Sequence, residues 1–248
     1  MNIKSTKNLY FLFLFSIIAI GIVLRFYNLP QFGTFGHDNS RDLIKLYKLY
    51  QYNEIIYRGP VFSIVWAFLS PVYYYILYPF YLVLKFHPLA PAYVTTLFNI
   101  SALLALAFVT MKIFGKKVSL ISTGIYSLSF LVIKEGAFGL NPSFMPIFTI
   151  LLLFSIYRIL DGSSKHIILL FISLAMLVSF HPSGFFMIPV LAILYFIYRP
   201  DIDRKNMILG ISLFIILAAV PYFIQEKKFG WWSFKKVAEF IGQGSSAG

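Results

Sequence analysis

The chain contains no cysteine. That excludes disulfides, thiolate metal sites and a cysteine nucleophile, and it leaves the redox compartment unread. Acid is scarce too, with 9 Asp and Glu against 21 Lys and Arg in 248 residues. Only 12% of the residues are charged and 59% are hydrophobic, whereas a water-soluble domain is about a quarter charged and roughly 45–50% apolar. An ordinary soluble globule and a disordered chain are both excluded. No Walker loop, GxSxG, HExxH or dinucleotide fingerprint occurs, so soluble nucleotide chemistry is not expected. The four histidines, His37, His87, His166 and His181, show no ligand spacing with carboxylates, so neither metal nor other cofactor is expected. A net charge of +12 would suggest a nucleic-acid partner, but the basic residues sit in short turns between apolar runs. Such charges orient helices and meet lipid phosphates, and no nucleic acid is expected as a partner.

What the chain does have is apolar length. About eight runs, at 9–24, 61–84, 92–111, 118–133, 144–160, 167–180, 185–198 and 207–224, predict an all-α, polytopic transmembrane bundle whose solvent is the lipid bilayer. Barrel strands would alternate in polarity and these runs do not, so helices are the form that satisfies the backbone in lipid. Most connections are short. The exception is Arg25 to Pro60, where residues 42–57 place Leu43, Leu46, Leu49 or Tyr50, and Ile56 at helical spacing and predict an interfacial helix. A second interfacial helix is expected over 234–241. Orientation is in conflict: with Lys4 and Lys7 inside and eight crossings, the basic turns at 112–117, 158–166 and 199–206 all fall outside, against the usual excess of cytoplasmic Lys and Arg. An even number of crossings between Arg25 and Pro91, for example through a re-entrant piece at 61–70, would reverse this.

The densest polar cluster is Gly36-His37-Asp38-Asn39-Ser40-Arg41-Asp42. Asp38, Arg41 and Asp42 stand at i, i+3 and i+4, one face of a helix for which Asp38 or Asn39 would serve as cap. The plain reading is a cap with a surface ion pair. The functional one is a carboxylate that takes a proton from a hydroxyl beside a guanidinium that faces an anion. The run Ser70-Pro71-Val72-Tyr73-Tyr74-Tyr75 reads as an interface belt or as rings that stack on sugars, and Ser70-Pro71 also fits a helix start. Lys134 and Glu135 are an ion-pair candidate, and Asn141-Pro142-Ser143 is a turn that starts a helix.

In their order and spacing, Leu24 to Pro30, Gly36-His37-Asp38, Arg41-Asp42, Gly59-Pro60, Pro71 to Tyr75, Phe114-Gly115-Lys116-Lys117 and Asn141-Pro142 resemble the GT-C class of membrane glycosyltransferases. The nearest likeness is to the bacterial dolichyl-phosphate-mannose protein mannosyltransferase family (glycosyltransferase family 39, RgtA/B/C/D-like). The resemblance covers the chain from its start to about residue 160. It implies inverting transfer of a sugar from a polyprenyl-phosphate donor to a hydroxyl of a glycan, lipid or protein acceptor, at the outer face of a bacterial plasma membrane. Asp38 matches the family's general base. His37, Arg41, Asp42, Arg58, Tyr74 and Asn141 are then the substrate-binding residues, with Arg41 and Arg58 toward the donor phosphate. Relatives commonly carry adjacent Asp-Glu where this chain has Asp38-Asn39. They also run longer, so the expectation is one transmembrane domain over 1–241, incomplete relative to the family, followed by a flexible tail over 242–248. The alternative is a non-enzymatic polytopic protein, a lipid-linked saccharide carrier or an inactive truncated paralogue.

Overall fold

The computed structural model describes residues 3–27, 29–33, 35–62 and 65–245. Asn28, within one of the stretches singled out above, lies outside them. Among the described residues the fold is helical apart from one small hairpin. The helices are α1 (Ile3–Tyr27), α2 (Leu29–Phe32), α3 (His37–Tyr52), α4 (Val72–Val83), α5 (Ala90–Phe114), α6 (Lys116–Leu128), α7 (Phe130–Gly136), α8 (Met145–Leu160), α9 (His166–Phe180), α10 (Met187–Tyr198), α11 (Arg204–Phe214), α12 (Val220–Lys228) and α13 (Trp232–Ser245). A 3₁₀ turn, Asn141–Phe144, leads into α8, another, Pro182–Phe186, leads into α10, and a π turn, Ile215–Ala219, joins α11 to α12. Among the described residues, four segments are long and apolar enough to cross a membrane: Asn8–Tyr27, Ala90–Phe114, Asn141–Leu160 and Arg204–Lys228. The α6–α7 pair, bent by 61°, makes a fifth when counted as one broken span. Helices α4, α9 and the 182–198 segment are apolar but shorter.

The run expected as one helix over 61–84 is two things. Val61–Phe62 and Ala67–Phe68 pair antiparallel as strands β1 and β2, and helix begins only at Val72. Pro60 and Pro71 bracket the stretch, and the residue before a proline is pushed away from helical geometry. The hairpin's free backbone groups are taken up by distant side chains. Phe68 N donates to Ser233 Oγ at 3.1 Å, Gln225 Nε2 to Phe68 O at 3.3 Å and Trp232 Nε1 to Trp66 O at 3.0 Å. An apolar run can thus leave the helical form because its polar backbone still finds partners.

Arg25, expected to open the long loop, belongs to α1 and is buried. Its Nε donates to Asn99 Oδ1 at 2.6 Å, Nη1 to Gly21 O at 2.8 Å and Ser127 O at 3.3 Å, and Nη2 to Tyr126 O at 3.1 Å. Tyr126 and Ser127 lie in the last turn of α6, just before the bend at Ser129. Carbonyls of a last helical turn have no partner within their helix. The guanidinium supplies one, and so locks the break between α6 and α7. Asn99 Nδ2 secures the far side by donating to Val132 O at 3.2 Å.

Helix α3 begins five residues before the predicted interfacial helix and stops at Asn53, whose left-handed φ of 51° ends it. Leu46 is buried, and Leu43 and Leu49 pack on the core as their spacing implies, while Ile56 reaches the core from beyond the helix end. Helix α13 is longer than expected and continues into the predicted tail as far as Ser245; residues 246–248 lie outside the described ones. The centre of the bundle is α9, buried from Ser173 to Phe180 and packed between α8 and α11.

The ends of the helices sort into two groups. At one end Tyr10 meets Ser119, and Ser164 meets Asp203 and Asn206. At the other, Asn39 meets Phe138, Asn141 meets Phe180, Phe62 meets His181 and Gly59 meets Gln225. Helix α4 runs between no such pair. It starts against α3, where Tyr74 bonds Asp42, and the turn after it returns Phe86 to the rings of Tyr47 and Tyr50 of the same helix. At 12 residues it is about 18 Å long, against a hydrocarbon core of about 30 Å.

Candidate functional site

The polar cluster lies on α3, whose N-cap is Gly36 in an extended conformation with no capping side chain. Neither Asp38 nor Asn39 caps it. Asp38 sits in the first turn, where a negative charge is favourable, and buried Asn39 donates to Phe138 O at 3.1 Å. Arg41 divides its fork between two acids. Nη1 reaches Asp38 Oδ1 at 2.6 Å, while Nε and Nη2 reach Asp42 Oδ1 at 2.9 and 2.8 Å. The Asp38 side chain is 54% exposed, whereas that of Asp42 is 4% exposed.

Asp42 is held from below by Tyr74, whose Oη donates to Oδ1 at 2.6 Å. Burial raises the Asp42 carboxyl above the usual carboxylate range, opposed by Arg41, Tyr74 and Lys45. For Arg41 burial acts to lower, but the carboxylates of Asp42 and Asp38 outweigh it and the guanidinium is raised. Lys45, one turn on, lies over the Tyr74 ring at 4.9 Å and donates to Arg58 O at 3.2 Å and Gly59 O at 3.5 Å. Its ammonium is pushed down to about 8, first by burial and then by Arg41 and Arg58, with Asp42 opposing.

Arg58 is clasped between rings, 3.6 Å from the Phe229 centroid and 4.5 Å from that of Phe68. Its Nε is buried without a hydrogen-bond partner. Lys228 Nζ stands 3.3 Å over Tyr57, so Lys45, Arg58 and Lys228 converge on residues 57–59. Gly59 N donates to Gln225 Oε1 at 3.1 Å, and Gln225 Nε2 donates to Glu226 Oε1 at 3.2 Å. A continuous run of polar contacts therefore leads from Asp38 through Arg41, Asp42, Tyr74 and Lys45 to Gly59, Gln225 and Glu226.

That run ends at a cavity of ≈ 780 Å³, bordered by the hairpin, the 182–188 segment, the π turn and α13, with Glu226 in its wall. A second cavity, of ≈ 380 Å³, lies among α8, α9 and α10 and is lined by apolar side chains and Tyr195. Asp38 borders neither.

Of the residues singled out from sequence, Asp38, Arg41, Asp42 and Tyr74 come together, and Arg58 joins them through Lys45. His37 is exposed at the helix start. Asn141 stands apart: its Nδ2 donates to Phe180 O at 2.5 Å and ties off the end of α9. Of the tyrosine run, Tyr73 and Tyr74 are buried, while Tyr75 is exposed and its Oη donates to Ile56 O at 3.1 Å. Lys134 and Glu135 form no ion pair with each other; Lys134 lies over Phe138 at 5.7 Å. Sequence reasoning passed over Lys45, Gln225 and Glu226. Lys45 could have been found from its place three residues after Asp42 and four after Arg41, and Glu226 as the acid that closes the last apolar run. No group of three or more His, Asp or Glu suited to a metal occurs among the described residues. Comparison of the chain with protein-family models, with curated proteins and with solved structures finds no match.

Proposed function

We propose that the chain is a membrane glycosyltransferase that moves a sugar from a polyprenyl-phosphate donor to a hydroxyl acceptor at the extracytoplasmic face. The observation that carries this reading is the joining of an accessible carboxylate, a set of cations and an apolar cavity at one end of a helical bundle. A lipid-borne sugar phosphate needs these three parts at interface depth.

The sorting of helix ends supports a topology that differs from the expected eight crossings. Helix α1, α5, the α6–α7 pair, Asn141–Leu160, α9, Pro182–Tyr198 and Arg204–Lys228 cross, and α4 lies along α3 instead, giving seven. With Lys4 and Lys7 inside, the basic turns at 112–117, 158–166 and 199–206 then also fall inside, in accord with the excess of cytoplasmic Lys and Arg. The α3 cluster, the hairpin and the large cavity all fall outside.

In this reading the acceptor oxygen attacks the anomeric carbon as the bond from that carbon to the phosphate oxygen breaks, with inversion. The acceptor's proton passes to the Asp38 carboxylate, and the polyprenyl phosphate leaves with the bonding electrons. Arg41 holds Asp38 in place through their ion pair. Asp42, too buried to touch substrate, fixes Arg41. Arg58 and Lys45 meet the leaving phosphate.

The test is sugar transfer from a radiolabelled lipid-phosphate sugar in membranes. Asp38→Asn is expected to lower turnover by about 10²–10⁴-fold, the usual worth of a general base, with insertion unchanged. Full turnover would remove Asp38 from the chemistry. No transfer by the wild type would favour a non-enzymatic carrier or inactive bundle, a reading to which one observation leans: Asp38 lines neither cavity.

A further inference from the structure

The acid at the end of the polar run has no role in that chemistry. Glu226 is 2% exposed and lines the ≈ 780 Å³ cavity, whose other walls are nearly all apolar, with Phe62, Phe185, Ala218 and Trp231 among them. Both carboxyl oxygens accept from N–H groups, Oε1 from Gln225 Nε2 at 3.2 Å and Oε2 from Ser233 N at 2.9 Å. It forms no ion pair among the described residues. Lys228 lies on Tyr57 and Arg58 between Phe68 and Phe229, and neither pairs with Glu226.

An isolated carboxylate in an apolar recess is costly unless a positive charge meets it. The cavity falls in the size range of ligand sites, about 300–1,000 Å³. The π turn Ile215–Ala219 forms part of its wall, and such turns inside helices recur at functional sites. Charge and shape together select the occupant. A long apolar chain fills the walls, and a protonated amine at its head completes the ion pair with Glu226 that the protein itself leaves open.

We infer that this cavity binds a single-chain cationic amphiphile, with its ammonium on the Glu226 carboxylate and its tail between the hairpin and the π turn. The same walls would hold an alcohol or a fatty acid of equal length with no ion pair, or with repulsion. The cavity is the one that the proposed function gives to the donor's prenyl chain, with the donor phosphate at Lys45 and Arg58 and away from Glu226; binding of the amine itself requires no sugar transfer and does not depend on Asp38.

The experiment uses the full chain in nanodiscs of phosphatidylcholine, which carries no primary amine. Three photoreactive probes with the same diazirine-bearing alkyl chain end in an amine, an alcohol or a carboxylate, and crosslinked peptides are mapped by mass spectrometry. The amine probe is expected to label Phe62 and residues 65–69 and 214–237 at least about tenfold more than the alcohol, the worth of one charged hydrogen bond. Glu226→Gln, which keeps the acceptor for Ser233 N, is expected to remove the difference between amine and alcohol. Ala219→Phe, which fills the cavity at a distance from the carboxylate, is expected to reduce labelling by both. Equal labelling of the wild type by amine and alcohol overturns the inference without recourse to any variant. So does amine selectivity that survives in Glu226→Gln, or labelling confined to other peptides.

Discussion

Tyr74 Oη and Asp42 Oδ1 lie 2.6 Å apart, and this bond fastens the loop helix to the bundle. It joins the buried face of α3 to the first turn of α4, and Arg41 and Lys45 are arranged around it. A hydrogen bond to a charged group contributes about 1.5–3 kcal/mol. Tyr74→Phe is expected to lower stability by that amount while leaving the fold intact, read as a lower midpoint of thermal unfolding in detergent. An unchanged midpoint would mean that the bond does not form.

Lys45 gives a pH signature. Its ammonium is pushed down to about 8 from an ordinary 10.5, so the unfolded chain binds that proton more tightly between these values. Unfolding free energy is expected to rise with pH across that window through this group, and below about 8 the cost of burying the charge is present in full. In the native protein, Lys45 should be half-maximally labelled by an amine-selective reagent near pH 8, ahead of an ordinary lysine. Labelling of Lys45 only near pH 10.5 would show that the amine is not held in this environment.

Arg25 provides a test of the kinked helix. Arg25→Leu would leave the carbonyls of Tyr126 and Ser127 and the Asn99 side chain without their donor, at about 1–3 kcal/mol for each buried group. Arg25→Lys would recover part of this, because an ammonium cannot reproduce the planar fork. The expected order of stability is wild type, Lys, Leu, measured by denaturant unfolding in mixed micelles. Equal stability of the three would show that the break at Ser129 does not rest on the guanidinium.

Gly59 closes the loop onto the start of α4. A Cβ there would fall on the carbonyl oxygens of Leu69 and Ser70, whereas one at Gly124 would meet nothing within 4 Å. Gly59→Ala is expected to displace the hairpin, break the bond from Gly59 N to Gln225 and sharply reduce folded yield. Gly124→Ala should be neutral by size-exclusion profile and yield. Equal yields would show that residue 59 is not packed in this way.

Several features were legible in the chain because they depend only on near neighbours. The apolar composition dictated helices long enough to cross a membrane, since helices satisfy their own backbone. The i, i+3 and i+4 spacing of Asp38, Arg41 and Asp42 dictated a shared face, and the leucines of α3 dictated which side packs inward. Other features could not be read, because their energy comes from partners far along the chain. Residues 61–68 leave the helical form through contacts with Gln225, Trp232 and Ser233, and Gly59 meets Gln225 across 166 positions. Tertiary packing laid α4 along α3 and took Arg25 out of the loop into a helix break. It also left Glu226 facing an apolar hollow with no ion-pair partner among the described residues. Local periodicity fixes which residues share a face; only the closing of the bundle decides what that face meets.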